Sequence, residues 1–146
     1  HRGQGPLHLE RQYMPNLIGV VLKDRATPTP IDHTFNPYGV ENGVATLVEN
    51  TGVPIGNPRL TMSQNRNNNT GRHKTIVKFA IPVMGQVVVN GVAQDTVLRT
   101  AYADLTFNWD VASTALERKR LIQHIADLCT TGPTKDSILV DLEGFW

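Results

Sequence analysis

Five cations, Arg59, Arg66, Arg72, Lys74 and Lys78, fall in an interval between Glu49 and Asp95 that holds no carboxylate. Phosphate binding is the chemistry such a set can do, because every nearby acid would cancel part of the attraction to a polyanion. The interval is not a basic tail. Arg59–Asn65 alternates, with Leu60, Met62 and Gln64 against Arg59, Thr61, Ser63 and Asn65. Lys74–Ile81 does the same, with Thr75, Val77, Phe79 and Ile81 against Lys74, Ile76, Lys78 and Ala80. A period of two belongs to strands, so the cations are carried on a sheet. RNA or DNA heads the partners this surface suits; uneven scatter of surface charge is the bland alternative.

Val97–Trp109 is the longest alternating run. Val97, Arg99, Ala101, Ala103, Leu105, Phe107 and Trp109 form one side, a core face apart from Arg99. Leu98, Thr100, Tyr102, Asp104, Thr106 and Asn108 form the other. An aromatic ring among hydroxyls and amines is a stacking platform for an unpaired base, a contact of ~1–3 kcal/mol. The alternative for Tyr102 is packing beneath a neighbouring subunit. Lys78 and Ser63, on faces of the same polarity, favour RNA, whose single-stranded loops are read by splayed bases and held phosphates. Asp104 suits a hydrogen-bond acceptor for base amino groups. As a general base it would need a nearby His or second carboxylate, and the sequence offers none.

Catalytic and metal chemistry find little support. His1, His8, His33, His73 and His124 show no metal-ligand spacing with one another or with Cys and carboxylates. Asp32-His33 reads as a surface turn rather than part of an active site. There is no glycine-rich phosphate loop and no nucleophile elbow. The expectation is a protein that is not an enzyme and needs no cofactor or metal. The single cysteine, Cys129, lies in an apolar helical stripe and reads as a small buried hydrophobe rather than a nucleophile. With no internal disulfide the chain suits a reducing compartment. No apolar run reaches the ~18 residues of a membrane span and no signal-peptide pattern opens the chain, so a cytosolic protein with no membrane partner is expected.

The elements that must carry these residues follow from period and punctuation. The 146 residues, with 14 Lys plus Arg against 13 acids and a net charge of +1, make one domain whose whole-chain charge hides the local bias. Residues 1–14 are polar and aperiodic. They read as an addition, with Met14 the natural start, or as a native arm docking on a neighbour. Strands are expected over Asn16–Lys23, Asp32–Asn36, Gly43–Glu49, Arg59–Asn65, Lys74–Ile81 and Val97–Trp109. Pro82 is expected to end the fifth, and Asn90-Gly91 to turn a hairpin. Gly71 is available for a positive φ in the polar turn Arg66–Arg72.

After Trp109 the period changes. Thr114-x-x-Glu117 is a capping box before the helical stripe Leu121, Ile122, Ile125, Ala126, Leu128 and Cys129. Gly132-Pro133 stops it, and a second short helix is expected over Asp136–Leu142. Strands first and helices last give an α+β fold, an antiparallel meander with helices over one face. One helix of about 16 residues is roughly 24 Å long and cannot cover five or six strands alone. A homodimer is therefore expected.

Several segments together resemble the coat proteins of the single-stranded RNA bacteriophages, the levivirus and allolevivirus group. They are NLIGVVLKDRATP, ENGVATLVE, TGVPIGNPRLTMS, GRHKTIVKFAIP, the VNGV hairpin, RTAYADLTF and STALERKRLIQHIADL, in order from Asn16 towards Trp146. The resemblance implies a coat domain over residues 15–146, with an N-terminal hairpin, a five-stranded antiparallel sheet and two C-terminal helices lying across the partner's sheet. It implies an interlocked dimer with one continuous sheet, closing into a T=3 icosahedral capsid assembled in the bacterial host cytoplasm. The same dimer would bind a genomic RNA hairpin at the replicase start, acting as translational repressor and packaging mark.

Residue by residue, the resemblance places Val44, Thr61 and Ser63 in a pocket for an unpaired adenine. Lys78 matches the strand lysine before the proline, and Tyr102 the stacking tyrosine. Asp104 matches a polar position two beyond it, and Arg59 and Lys74 match phosphate contacts at strand ends. Ile76 stands where many members carry a hydroxyl, and Asn65 near an expected arginine, with Arg66 one step on. The segment Val83–Thr96 resembles the loop around the shell's symmetry axes. A dimeric RNA-binding regulator that never assembles is the alternative the same sheet would serve.

Overall fold

A computed structural model describes residues 17–144, so the expectations for residues 1–14 lie outside the described part. Six strands run in chain order across one antiparallel sheet: β1 (Val20–Lys23), β2 (Asp32–Glu41), β3 (Val44–Val48), β4 (Arg59–Arg66), β5 (His73–Val89) and β6 (Val92–Trp109). Two helices follow, α1 (Ala115–Leu128) and α2 (Pro133–Leu139). This is the α+β meander the sequence predicts. Two compact units divide it, one of residues up to Asn65 with Lys74–Phe107, the other of Arg66–His73 with the residues from Asn108 on.

Turn chemistry sets the sheet. Asn42 and Gly43 have φ of 53° and 79°, Asn90 and Gly91 of 52° and 78°. Positive φ at both central residues matches the twist of paired strands, so β2–β3 and β5–β6 close tightly. The core forms on one face, where Phe35, Leu47 and Leu60 are buried and Leu47 is fully enclosed. Phe35 meets Phe79 edge-on, with ring centroids 6.5 Å apart at 81°. Leu17, Val20, Leu22, Met62 and Val77 pack against this cluster.

Pro82, expected to end a strand, lies inside one, and so does Pro37, before which the expected strand Asp32–Asn36 stops. β2 continues through Pro37, which pairs with Leu47 beside a bulge between Pro37 and Gly39. β1 pairs only as far as Phe35, so from Pro37 onward β2 has one neighbour and a missing N–H costs no ladder bond on the free side. β5 likewise passes Pro82 and reaches Val89. Asn90-Gly91 turns the expected hairpin, and its strands run through Val83–Thr96, the segment that the resemblance made a loop. The first strand starts later than expected, at Val20.

In the second unit the capping box forms both ways: Glu117 N–H donates to Thr114 Oγ1 at 3.3 Å, and Thr114 N–H donates to Glu117 Oε2 at 3.0 Å. Arg118 adds hydrogen bonds to the Ser113 carbonyl and hydroxyl, at 2.7 and 2.9 Å. The second helix begins at Pro133, three residues before the expected Asp136. A proline that stops one helix is preorganised for the first position of the next. Cys129 caps α1 and is exposed, which corrects its reading as a buried hydrophobe. No residue of either helix is buried, so the stripe of Leu121, Ile122 and Leu128 stays open in the single chain.

Candidate nucleic-acid interface

Antiparallel partners share a face, so the register of β3 with β4 sorts their side chains. Leu47 pairs with Leu60 and Ala45 with Met62 on the core side. Val44 therefore stands opposite Ser63, Thr46 opposite Thr61 and Val48 opposite Arg59 on the other. Next to them, Thr75 Oγ1 donates to Gln64 Oε1, and Asn67 N–H donates to the Arg72 carbonyl at 2.8 Å. Both bonds belong to a register with Ser63 opposite Ile76, Thr61 opposite Lys78 and Asn65 opposite Lys74. Val77 and Phe79 pack with the core, which turns Lys74, Ile76 and Lys78 to the polar side.

On β6, Phe107 is buried and Ala103 lines an apolar hollow with Phe79. Alternation then places Tyr102 and Asp104 on the polar face. Ten of the expected residues thus share one surface: Val44, Arg59, Thr61, Ser63, Asn65, Lys74, Ile76, Lys78, Tyr102 and Asp104. Thr61, Ser63 and Ile76 are half-buried, and Arg59, Lys74, Lys78 and Asp104 are exposed around them. Tyr102 is 77% exposed, with an open ring face. Within the described residues no carboxylate lies within ion-pair distance of Arg59, Lys74 or Lys78. The arrangement can seat an unstacked base in a shallow hydroxyl-lined dip, stack another on a ring and hold phosphates with free cations.

Arg66 is not brought into this set. It shares the strand side of Gln64, not of Asn65, and belongs to the second unit with the turn that follows. Three residues of the polar face escaped the sequence reading, among them Glu41, which stands opposite Val44. Thr46 could have been found, because it alternates with Val44 and pairs with Thr61. Tyr38, over whose ring the Arg59 guanidinium lies at 5.8 Å, sits in the bulge between Pro37 and Gly39, where alternation carries no signal.

The opposite face is different in kind. A hollow of about 600 Å³ is lined by Leu22, Phe35, Phe79, Ile81 and Ala103, with Asp24, His33 and Glu49 beside them. His33 does not pair with Asp32, which stands 3.7 Å from Lys23. Its Nε2 lies 2.7 Å from Asp24 Oδ2 and its Nδ1 2.6 Å from Glu49 Oε2. The His33 bond, with N–H bonds from Ile31 and Ala26, pulls the Asp24 carboxyl down to about 2. Asp24 and Glu49 together raise the imidazole above its usual value.

The levivirus coat protein family model matches residues 15–146. The chain belongs to that family. The capsid protein of Pseudomonas phage PRR1 is 43% identical over 76% of this chain and 83% of the relative. Among solved structures, the virus-like particle of bacteriophage ESE058 shares the fold with a TM-score of 0.78, at 23% identity over 90% of this chain and all of that one. An unassembled coat protein dimer, described as a bacteriophage RNA-binding dimer, aligns with a TM-score of 0.64 at 19% identity, over 89% and 98% of the two chains. These relatives are structural proteins of virions rather than enzymes.

Proposed function

We propose that this chain is a virion subunit whose dimers close into a T=3 icosahedral shell, and that the sheet's polar face binds an RNA hairpin of the genome. In this reading Val44, Thr61 and Ser63 seat an unpaired adenine, and Tyr102 stacks a second base. Lys78, Arg59 and Lys74 take phosphates, and Asp104 accepts from a base amino group. Ile76, opposite Ser63, supplies an apolar wall where a hydroxyl would add a hydrogen bond. Hairpin binding at the replicase start would block translation of that gene and select the genome for packaging. The carrying observation is the gathering of ten residues, hydroxyls, cations and an open ring, on one face where no described carboxylate pairs with Arg59, Lys74 or Lys78.

Dimerisation follows from two apolar surfaces the single chain leaves uncovered. The stripe on α1 needs a partner, and so does the hollow around Phe79; a second copy laying its helices across this sheet satisfies both. Extending the sheet edge to edge at the same time gives the polar face a continuous floor. The RNA-binding dimer of the same fold is described in terms that agree with this reading.

Purified protein should elute as large particles holding nuclease-protected RNA. A species of about twice 16.1 kDa at every concentration would mean instead a regulator that does not assemble. Tyr102→Ala should weaken hairpin binding by ~1–3 kcal/mol while particles still form. Lys78→Ala should flatten the salt dependence of binding by about one unit of slope. Parent-like binding by both variants would overturn the site assignment.

A further inference from the structure

The polar face carries a second open ring that no contact of the fold explains. Tyr38 is 74% exposed, and among the described residues its hydroxyl has no hydrogen-bond partner. It is the extra residue of the bulge in β2, between Pro37 opposite Leu47 and Gly39 opposite Thr46. A bulge re-aims a side chain out of the alternating ladder. Here it turns the ring towards Arg59, whose guanidinium lies 5.8 Å from the ring centroid. Arg59 shares the face of Thr61 and Ser63, and no described carboxylate neutralises it. One side of the ring is thus occupied by a planar cation and the other is open to solvent.

We propose that Tyr38 is a second base-stacking position on the RNA face, with Arg59 holding the phosphate beside the stacked base. This rests on the RNA reading above and extends it to the other margin of the sheet. Tyr38 is on β2 and Tyr102 on β6, four strand spacings apart or about 19 Å, so the two rings take different nucleotides of one bound RNA. Stacking tolerates any base, and a guanidinium ordered over a ring is well placed for bidentate phosphate contact. The occupant is an unpaired nucleotide flanking the hairpin.

The test begins with the parent particles. Ultraviolet irradiation of particles with their enclosed RNA, followed by digestion and mass spectrometry, should find nucleotide adducts on the peptides carrying Tyr38 and Tyr102. In solution, dimers should be titrated with an RNA hairpin bearing an unpaired adenine, with and without six single-stranded flanking nucleotides. Tyr38→Ala should weaken binding of the flanked hairpin about tenfold and leave the bare hairpin unchanged, and Tyr38→Phe should bind both as the parent does. Adducts on Tyr102 alone, with Tyr38→Ala binding the flanked hairpin normally, would overturn the proposal and leave the RNA reading standing. No adduct on either ring, with Tyr102→Ala also binding normally, would remove both.

Discussion

The sheet and the helices of this chain are stabilised in different ways. The sheet unit encloses Leu47 completely and buries Phe35 and Leu60 around it. The helical unit buries no helical residue, and α1 is held by its capping box and the hydrogen bonds from Arg118 to Ser113. A helix of 14 residues is marginal in water on local interactions alone. In most domains tertiary packing of the apolar stripe supplies the rest, and in the dimer proposed above the partner chain would supply it. On that reading, folding of the C-terminal helices and association of the chain are one process, whereas the sheet has the beginnings of its own core.

Breaking the helical side should have the largest effect. Leu121→Asp combined with Ile122→Asp removes nothing buried in the single chain, where those residues are 41% and 45% exposed. Surface changes of that kind ordinarily stay within about 0.5 kcal/mol. The expected outcome is nevertheless complete loss of dimers and particles on sizing, with loss of helical circular dichroism. Particles of parent size from the double variant would end the argument that α1 is completed by a partner. Leu47→Ala should come next. It empties a fully enclosed site and should cost ~2–5 kcal/mol in chemical denaturation, whatever the state of assembly. Thr114→Ala removes the hydroxyl of the capping box and should cost about 1 kcal/mol. That cost should appear at low protein concentration and shrink in assembled particles if packing overrides the cap.

The same contrast explains what the sequence showed and what it hid. Alternation in Arg59–Asn65, Lys74–Ile81 and Val97–Trp109 is a local signal, and it sorted Ser63, Lys78 and Tyr102 onto one face without any long-range information. The capping box and the Asn90-Gly91 turn are local too, and both formed as written. Pro37 and Pro82 misled because proline is excluded from a strand only where a neighbour needs its N–H, and neighbours are a property of the sheet. Cys129 misled because an apolar stripe says that a residue will be covered, not that its own chain will cover it. Tyr38 was invisible for a third reason: a bulge cancels the period by which face is read, so contact with Arg59 could not be inferred from spacing.

The smallest effect should come from His33, where the β1–β2 hairpin meets the end of β3. Its imidazole bridges Asp24 and Glu49 at 2.7 and 2.6 Å, and Lys23 stands nearby, paired with Asp32. The folded-state value of His33 is raised above 6.5, so the protonated ring favours the folded state. That contribution is fully present below the unfolded value of 6.5 and fades as pH rises through the higher folded value. Asp24 works in the opposite direction. Its folded value of about 2 lies below the ordinary 3.8, so its contribution is present above 3.8 and is lost as pH falls towards 2. Between those limits, from about pH 4 to 6.5, both contributions operate in full. Denaturation midpoints of the parent and of His33→Gln should therefore differ most in that window, and the gap should close as the pH is raised and the ring loses its proton. A gap that stays constant from pH 5 to 9 would show that the imidazole joins the hairpin to β3 by neutral hydrogen bonds, with no contribution from its charge.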